Sequence, residues 1–350
     1  MPRAGQIIGT QLRLVAPLDG GAMGSVWIAD HRTLKTQVAV KFVGDRLEAE
    51  DPAAIQRFRH EAAASARIKS PHVAQVFDHD TTEDGAPYIV MELLEGETLR
   101  KRLDRSRLSV HEAVILVTHV SRALARAHAV GVIHRDIKPE NIFLCRTGDD
   151  ELFCKLFDFG IAKQVEMPEL DGIPSPGLLV GTPEFMSPET FFNKKGLDHH
   201  ADLWALAVTT YYSLVHQLPF DGESFGEVCT KLLTEPPTPI QSLRADISDE
   251  LAAWFDRALD KKPENRFADA KTFARTFAAA AEGNDRISLI ETTTTRPTFT
   301  ATTAPGDKPS SRPLVIAAAA GVLLAAAVAF AIVSTKGPAE AVADGAAPTL

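Results

Sequence analysis

The sequence predicts an α+β chain of two unequal parts, with a small strand-rich portion followed by a larger helical one and a single apolar helix near the C-terminal end. Three observations predict it. Residues 12–91 hold β-rich runs around a glycine-rich turn, and residues 95–281 hold long stretches with apolar residues three and four apart. Residues 314–333, "LVIAAAAGVLLAAAVAFAIV", contain no charge and no proline.

Taken in chain order, "QLRLVAPLDG" and "GSVWIADH" read as strands flanking the turn, and "TQVAVKFVG" as a third strand. "LDGGAMGSVW", Leu18 to Trp27, is glycine-rich, which alone fits any hairpin. A dinucleotide-binding loop would open a helix, whereas this one runs on into β-formers. Glycine at 21 and 24 lets backbone N–H groups approach a phosphate with no Cβ in the way. Lys41 sits in the middle of the apolar run "VAVKF", where an ammonium is costly unless paired. Glu61, in the apolar stripe of the helical pattern "FRHEAAASARI", is the partner expected for it.

A long helical pattern, "SVHEAVILVTHVSRALARAHAVG", ends near Gly131. After it, "VIHRDIKPENIFL" packs His134, Arg135, Asp136, Lys138 and Asn141 between two apolar flanks. An acid, a cation and a neutral amide converge there, which suits a site handling a proton, a phosphate and a metal ion together. "KLFDFGIAK" puts Asp158 at the end of an apolar strand, before a glycine. With Asn141 it offers hard oxygen ligands of the kind magnesium takes. A cleft between the strand-rich and helical parts is where such chemistry is most easily assembled.

Bulk properties narrow the classes. The net charge of −9 excludes a general nucleic-acid binder, which needs a basic excess. Cys145, Cys154 and Cys229 are too few and too scattered for a disulfide framework or a metal site. "MPRAGQIIGTQLRL" lacks the apolar core of a signal peptide, so the start of the chain is expected in the cytoplasm. Residues 282–313 turn Thr-, Pro- and Ser-rich and read as a disordered linker. The apolar run that follows spans ~30 Å as a helix, the thickness of a bilayer core. It is expected to cross the membrane once, with residues 334–350 as a short outer tail. Lys308 and Arg312 before it point to a cytoplasmic N-terminal side and a cell-membrane location.

The ordered set of motifs resembles the eukaryotic-like (Hanks-type) serine/threonine protein kinases. It comprises the glycine loop, Val38-Ala39-Val40-Lys41, His134-Arg135-Asp136 with Asn141, Asp158-Phe159-Gly160, and "GTPEFMSPE", with Ser187-Pro188-Glu189 where Ala-Pro-Glu is usual. "DLWALAV" from Asp202 and "KKPENRF" resemble later landmarks, and the whole covers residues 12–281. The terminal apolar helix resembles the bacterial membrane-anchored members in particular.

The resemblance implies a two-lobed protein-kinase fold, divided into residues 12–91 and 95–281, that uses ATP and Mg2+. Asp136 would accept or orient the substrate hydroxyl proton, Lys138 would steady the transferring phosphoryl group, and Asn141 and Asp158 would hold the metal. Lys41, held by Glu61, would reach the phosphates. Leu18, Gly20, Gly21, Gly24, Val26, Ala39, Met91, Glu92, Leu94 and Phe143 would surround the nucleotide, with adenine on the backbones of Glu92 and Leu94. His134 would pack beneath Phe159 rather than act as a base. Asp19 and Ala22 stand where the family usually has loop glycines.

In the activation segment, Arg135 and Lys163 would meet a phosphate, Thr182 would touch Asp136 and Lys138, and Arg266 would pair with Glu189. Ser175 is the one ordinary phosphosite expected in that segment, whereas the linker carries Thr292 to Thr295, Thr298, Thr300, Thr302 and Thr303. Autophosphorylation in trans, through self-association at the membrane, is therefore expected in the linker. The alternatives are a pseudokinase scaffold and a small-molecule kinase. The presence of Lys41, Asp136, Asn141 and Asp158 speaks against the first, and the full "GTPEFMSPE" segment against the second. Protein serine and threonine hydroxyls are the expected substrates.

Overall fold

A computed structural model of the chain describes residues 2–21, 24–43, 58–59, 62–145, 152–159, 183–191 and 198–294. The chain divides into two units, 1–296 and 297–350, and every described residue lies in the first. Glu61, Gly160, Lys163, Ser175, Thr182 and the apolar run 314–333 lie outside the described residues. Among those described, no helix is long and apolar enough to cross a membrane.

The N-terminal part is a six-stranded sheet, β1 (Ile7–Ile8), β2 (Leu12–Gly21), β3 (Gly24–His31), β4 (Thr36–Val43), β5 (Val76–Thr81) and β6 (Pro87–Glu92). The spatial order is β1-β2-β3-β4-β6-β5, with antiparallel neighbours. Period-two alternation gives the sheet two faces. Leu14, Trp27, Val38, Val40, Tyr88 and Val90 bury on one face in a core of their own. The residues between them turn to the other face, towards the helical part.

A three-stranded sheet, β7 (Gly96–Thr98), β8 (Ile142–Cys145) and β9 (Phe153–Leu156), roofs the helical part. Gly96 has φ 139°, and a Cβ on it would stand 2.1 Å from the Leu144 carbonyl oxygen, so only glycine lets β7 lie this close to β8. The helices that bear on the site are α1 (Leu99–Leu103), α2 (Val110–Ala129), α3 (His200–Val215), α4 (Phe225–Thr234), α5 (Asp249–Ala258) and α6 (Ala270–Thr294).

Helix α2 starts on a full capping box. The Ser109 hydroxyl accepts from Glu112 N at 3.1 Å, and the Glu112 carboxylate accepts from Ser109 N at 2.8 Å. It stops at Ala129, and Gly131, φ 77°, follows just past the cap, near where the sequence predicts the end. Leu116, Val117, Val120 and Leu124 of α2 join the main core, and α3 is buried along nearly its whole length. A helix apolar all round is what the centre of a helical lobe requires.

One boundary differs from the sequence reading, which ends the folded part at Ala281 and begins a linker at 282. Helix α6 instead runs to Thr294. Asn284, 4% exposed, accepts from Ser248 N at 2.7 Å and donates to the Asp246 carbonyl at 2.9 Å. Gly283 packs closely here. A Cβ on it would lie 3.0 Å from Glu250 Oε2 and 3.2 Å from Ser248 Oγ.

Candidate active site

The inward face of the large sheet follows from strand register. Val26 lies opposite Lys41, Lys41 opposite Ile89, and Ala39 opposite Met91, and directly opposed residues of antiparallel strands share a face. Val26, Ala39, Lys41 and Met91 therefore line one surface, away from the small core. Leu18 stands at a bulge between Pro17 and Asp19 and is 54% exposed. Gly20 and Gly21 pair with Ser25 and Gly24 to close the hairpin.

The connection between the two parts is held at Glu92. Its N–H donates to the Gln75 carbonyl at 2.9 Å, its Oε2 accepts from Gln75 N at 3.2 Å, and Lys155 of β9 binds Oε1. Leu94 follows in the half-buried connection. On β8, Ile142 and Leu144 bury in the helical core while Phe143 between them stays half-buried, edge-on to Phe157 at 6.2 Å.

Asp202, in the first turn of α3, fixes the loop that carries the central residues. Its fully buried carboxylate accepts from His134 N at 2.9 Å, from Arg135 N at 2.8 Å and from His128 Nε2 at 2.8 Å. This holds Arg135 in the left-handed region, φ 63°. His134 is fully buried, with Nε2 donating to the Phe157 carbonyl at 3.1 Å and Nδ1 accepting from Asp136 N at 3.2 Å. Both ring nitrogens are thus occupied, and burial pushes its pKa down, so the ring is neutral. It packs on Phe159 at 4.5 Å, the placement expected for it.

The reactive groups then converge. Asn141 Nδ2 donates to Asp136 Oδ2 at 2.9 Å and to the Asp136 carbonyl at 2.8 Å, while Lys138 Nζ stands 3.3 Å from Asp136 Oδ2. A short helical turn, Pro139–Asn141, brings the three together, with Asn141 N bonded to the Lys138 carbonyl at 3.0 Å. Phe157 N donates to the Asn141 carbonyl at 3.1 Å, tying this loop to the segment carrying Asp158. Asp158, also left-handed at φ 63°, forms an ion pair with Lys41 through both carboxylate oxygens. The expected partner of Lys41, Glu61, lies outside the described residues; among those described, Asp158 holds it.

The donors fit a magnesium ion. With the Asn141 amide nitrogen committed to Asp136, its oxygen remains, and Asp158 supplies a partly exposed carboxylate. Two hard oxygen donors plus phosphate oxygens and water are what Mg2+ takes.

Away from this cluster, Arg266 grips Glu189 through both nitrogens, at 2.7 and 2.9 Å, with both residues buried. The guanidinium also lies over the Trp204 ring, 4.7 Å from its centroid. Removing one partner would strand a buried charge, a loss of about 3–5 kcal/mol.

Sequence reasoning passed over two site elements. Asp202 was read only as the start of a landmark, although an acid in the first turn of an otherwise apolar helix is a signal in itself. The Lys155–Glu92 bridge had no such signal, since both residues look like ordinary surface charges in the strand pattern.

The family described as the protein kinase domain matches residues 14–278. The chain is 37% identical over 282 residues to the serine/threonine-protein kinase Pkn1 of Myxococcus xanthus, an alignment covering 80% of this chain and 40% of that protein. It is 34% identical over 291 residues to the serine/threonine-protein kinase PknA of Mycobacterium tuberculosis, covering 81% and 64%. Among solved structures, the kinase domain of Mycobacterium tuberculosis PknI superposes with a TM-score of 0.63 at 27% identity, covering 80% of this chain and 100% of that one. The chain thus spans between 40% and 64% of the length of these two curated relatives.

Proposed function

Because this chain belongs to the protein kinase family, we propose that it is an active, ATP- and Mg2+-dependent serine/threonine protein kinase that phosphorylates protein hydroxyls. The observation that carries the reading is the convergence of Asp136, Lys138 and Asn141 in one hydrogen-bonded cluster, joined through Phe157 to the Lys41–Asp158 pair. The transition state of phosphoryl transfer is loose and spreads charge over phosphate oxygens, so positioning and electrostatics do most of the work.

Asp136 accepts the proton of the incoming hydroxyl, and its second hydrogen-bond partner, Asn141, keeps the carboxylate aimed. Lys138, already 3.3 Å from that carboxylate, places a cation where charge develops on the transferring group. Lys41 and Asp158 form an ion pair, so a cation for the phosphates and a carboxylate for the metal stand side by side. Bound Mg2+, held by Asn141 and Asp158, would neutralise phosphate charge. The pseudokinase reading is disfavoured, because no member of this set is replaced by an inert residue.

The test is transfer of labelled phosphate from ATP to a generic protein substrate and to the chain itself. Asp136→Asn should lower turnover roughly 10²- to 10⁴-fold, the range for loss of a general base, with ATP affinity within a few-fold of the parent. Wild-type turnover in that variant would overturn the assignment.

We extend the proposal to the membrane. Residues 314–333 anchor the protein by one span with the kinase domain cytoplasmic, supported by twenty residues free of charge and by Lys308 and Arg312 before them. Tethering raises the effective concentration of neighbouring copies, so the linker threonines are phosphorylated in trans. Removal of residues 314–350 should release the protein from carbonate-washed membranes. Phosphopeptide mapping after self-reaction should find most phosphate between residues 295 and 303, past the end of α6. Phosphate confined to Ser175 would make the linker a passive tether.

A further inference from the structure

The junction before α3 holds a cluster that the phosphoryl-transfer chemistry does not use. Asp198, His199 and His200 present one ligand atom each, all within 4.8 Å of one another. His200 Nδ1 stands 2.9 Å from both oxygens of Asp198. Two ligand atoms at that separation subtend about 90° at an ion bonded at ~2.0–2.1 Å, the lengths for zinc–imidazole and zinc–carboxylate bonds. His199 Nε2 donates to the Ala268 carbonyl at 2.8 Å. That bond fixes the tautomer and leaves Nδ1 with its lone pair, the outer-shell arrangement that orients metal-ligating histidines.

We propose that Asp198, His199 and His200 form a binding site for one divalent transition-metal ion of the zinc class. Mixed imidazole and carboxylate donors select such an ion over Mg2+, which takes oxygen ligands and keeps its waters. On binding, the proton that His200 Nδ1 donates to Asp198 moves to Nε2, so the ring stays a neutral imidazole and the metal takes its place at Nδ1. Closure requires His199 to turn in by about 1–2 Å, from the observed spread to the ~3 Å spacing of neighbouring ligands.

The helix N-terminus opposes a cation, and the Asp198 and Asp202 carboxylates offset this. Asp198 also serves as a helix cap, accepting from His200 N at 2.9 Å through Oδ1. Capping alone accounts for that contact, but it does not account for the His200 ring on both carboxylate oxygens with a ligand atom of His199 within 4.8 Å. The His199 ring also lies 5.5 Å from His128, which holds Asp202 and through it the catalytic loop. An ion here would sit beside the anchor of the active site. The site itself does not depend on the kinase reading.

The experiment titrates the full-length protein, treated with a chelator and then freed of it, with Zn2+ against a chromophoric competitor in millimolar Mg2+. Cobalt(II) substitution serves as a spectroscopic report of nitrogen and oxygen ligands. One equivalent of Zn2+ that millimolar Mg2+ does not displace is expected, with affinity at least about tenfold weaker in both Asp198→Asn and His200→Gln. Asparagine keeps the oxygen that caps His200 N, so the Asp198→Asn variant should stay close to the parent melting temperature and separate ligand loss from misfolding. No tight equivalent in the parent, unchanged affinity in the two variants, or loss of binding on alkylation of Cys145 and Cys229 would each overturn the site.

Discussion

Asp202→Ala tests whether the catalytic loop is held from beneath. The substitution removes the acceptor for His134 N, Arg135 N and His128 Nε2 at 2.8–2.9 Å, in a fully buried setting. Each donor left buried without a partner costs about 1–3 kcal/mol. His128 keeps some solvent contact and can turn outward, so the two backbone amides set the scale, together about 2–6 kcal/mol. At roughly 2–4 °C per kcal/mol for a domain of this class, a mid-range loss of ~4 kcal/mol lowers the melting temperature by about 8–16 °C. Turnover should fall more steeply than ATP affinity, because the released segment carries Asp136 while the nucleotide face is built on the sheet. Asp202→Asn keeps one acceptor oxygen but sets an amide N–H against a backbone N–H, so it should fall between the two. Scanning fluorimetry and steady-state phosphate transfer on the same preparations decide it. A melting temperature within about 2 °C of the parent, with turnover within threefold, would show that the loop is held by something else.

Lys41→Met removes the cation from Asp158 and should cut turnover by about 10²-fold or more, with a much smaller effect on the melting temperature of the nucleotide-free protein. Unimpaired transfer would refute the role given to the pair. A pH prediction rests on the stack of His72, His119 and Phe153, with ring centroids 4.2–5.2 Å apart. Burial lowers the pKa of His119 to about 4, and burial also lowers that of His72. Both are therefore neutral when folded but bind protons near 6.5 when unfolded, so the unfolded chain holds more protons between about pH 4 and 6.5. For His119 the contribution to stability is complete above about 6.5 and is lost as the pH falls towards 4, and His72 acts in the same direction. His119→Phe should flatten the slope of denaturation midpoint against pH across that window; an unchanged slope would locate the acid sensitivity elsewhere.

Much of this site was legible because its residue types are improbable where they stand. A lysine inside an apolar strand, an acid before a glycine at a strand end, and an acid, lysine and amide between apolar flanks each demand a partner. The structure gathers Lys41, Asp158, Asp136, Lys138 and Asn141 accordingly. The Lys41–Asp158 pair was less legible, because an ammonium takes any nearby carboxylate and the sequence pattern pointed to Glu61, which lies outside the described residues. The extent of α6 was misread for a different reason. From residue 282 the composition shifts towards Thr, Pro and Ser, and only the Asn284 bonds to Ser248 N and the Asp246 carbonyl show that the helix goes on packing there. Composition reports local preference, and here the tertiary contact outweighs it.

The two loops that meet at the active site share one more property. Arg135 and Asp158, neither of them glycine, both have φ near 63°. A left-handed non-glycine residue costs about 1–2 kcal/mol. Such a residue persists only where the surroundings over-determine it. At Arg135 the surroundings are the Asp202 carboxylate, which accepts from this residue and the one before it. At Asp158 they are the Lys41 ion pair and the Phe157–Asn141 hydrogen bond just upstream. The first clamp lies within the helical core and does not depend on the sheet, whereas the second reaches across to β4. The catalytic loop is therefore fixed by its own lobe, and Asp158 by an ion pair between the lobes. A change at Lys41 should thus loosen Asp158 while leaving Asp136 in place. Backbone amide exchange in Lys41→Met should then rise around residues 157–159 and stay at the parent level around 134–136, and equal rises at both would show that the two loops move as one.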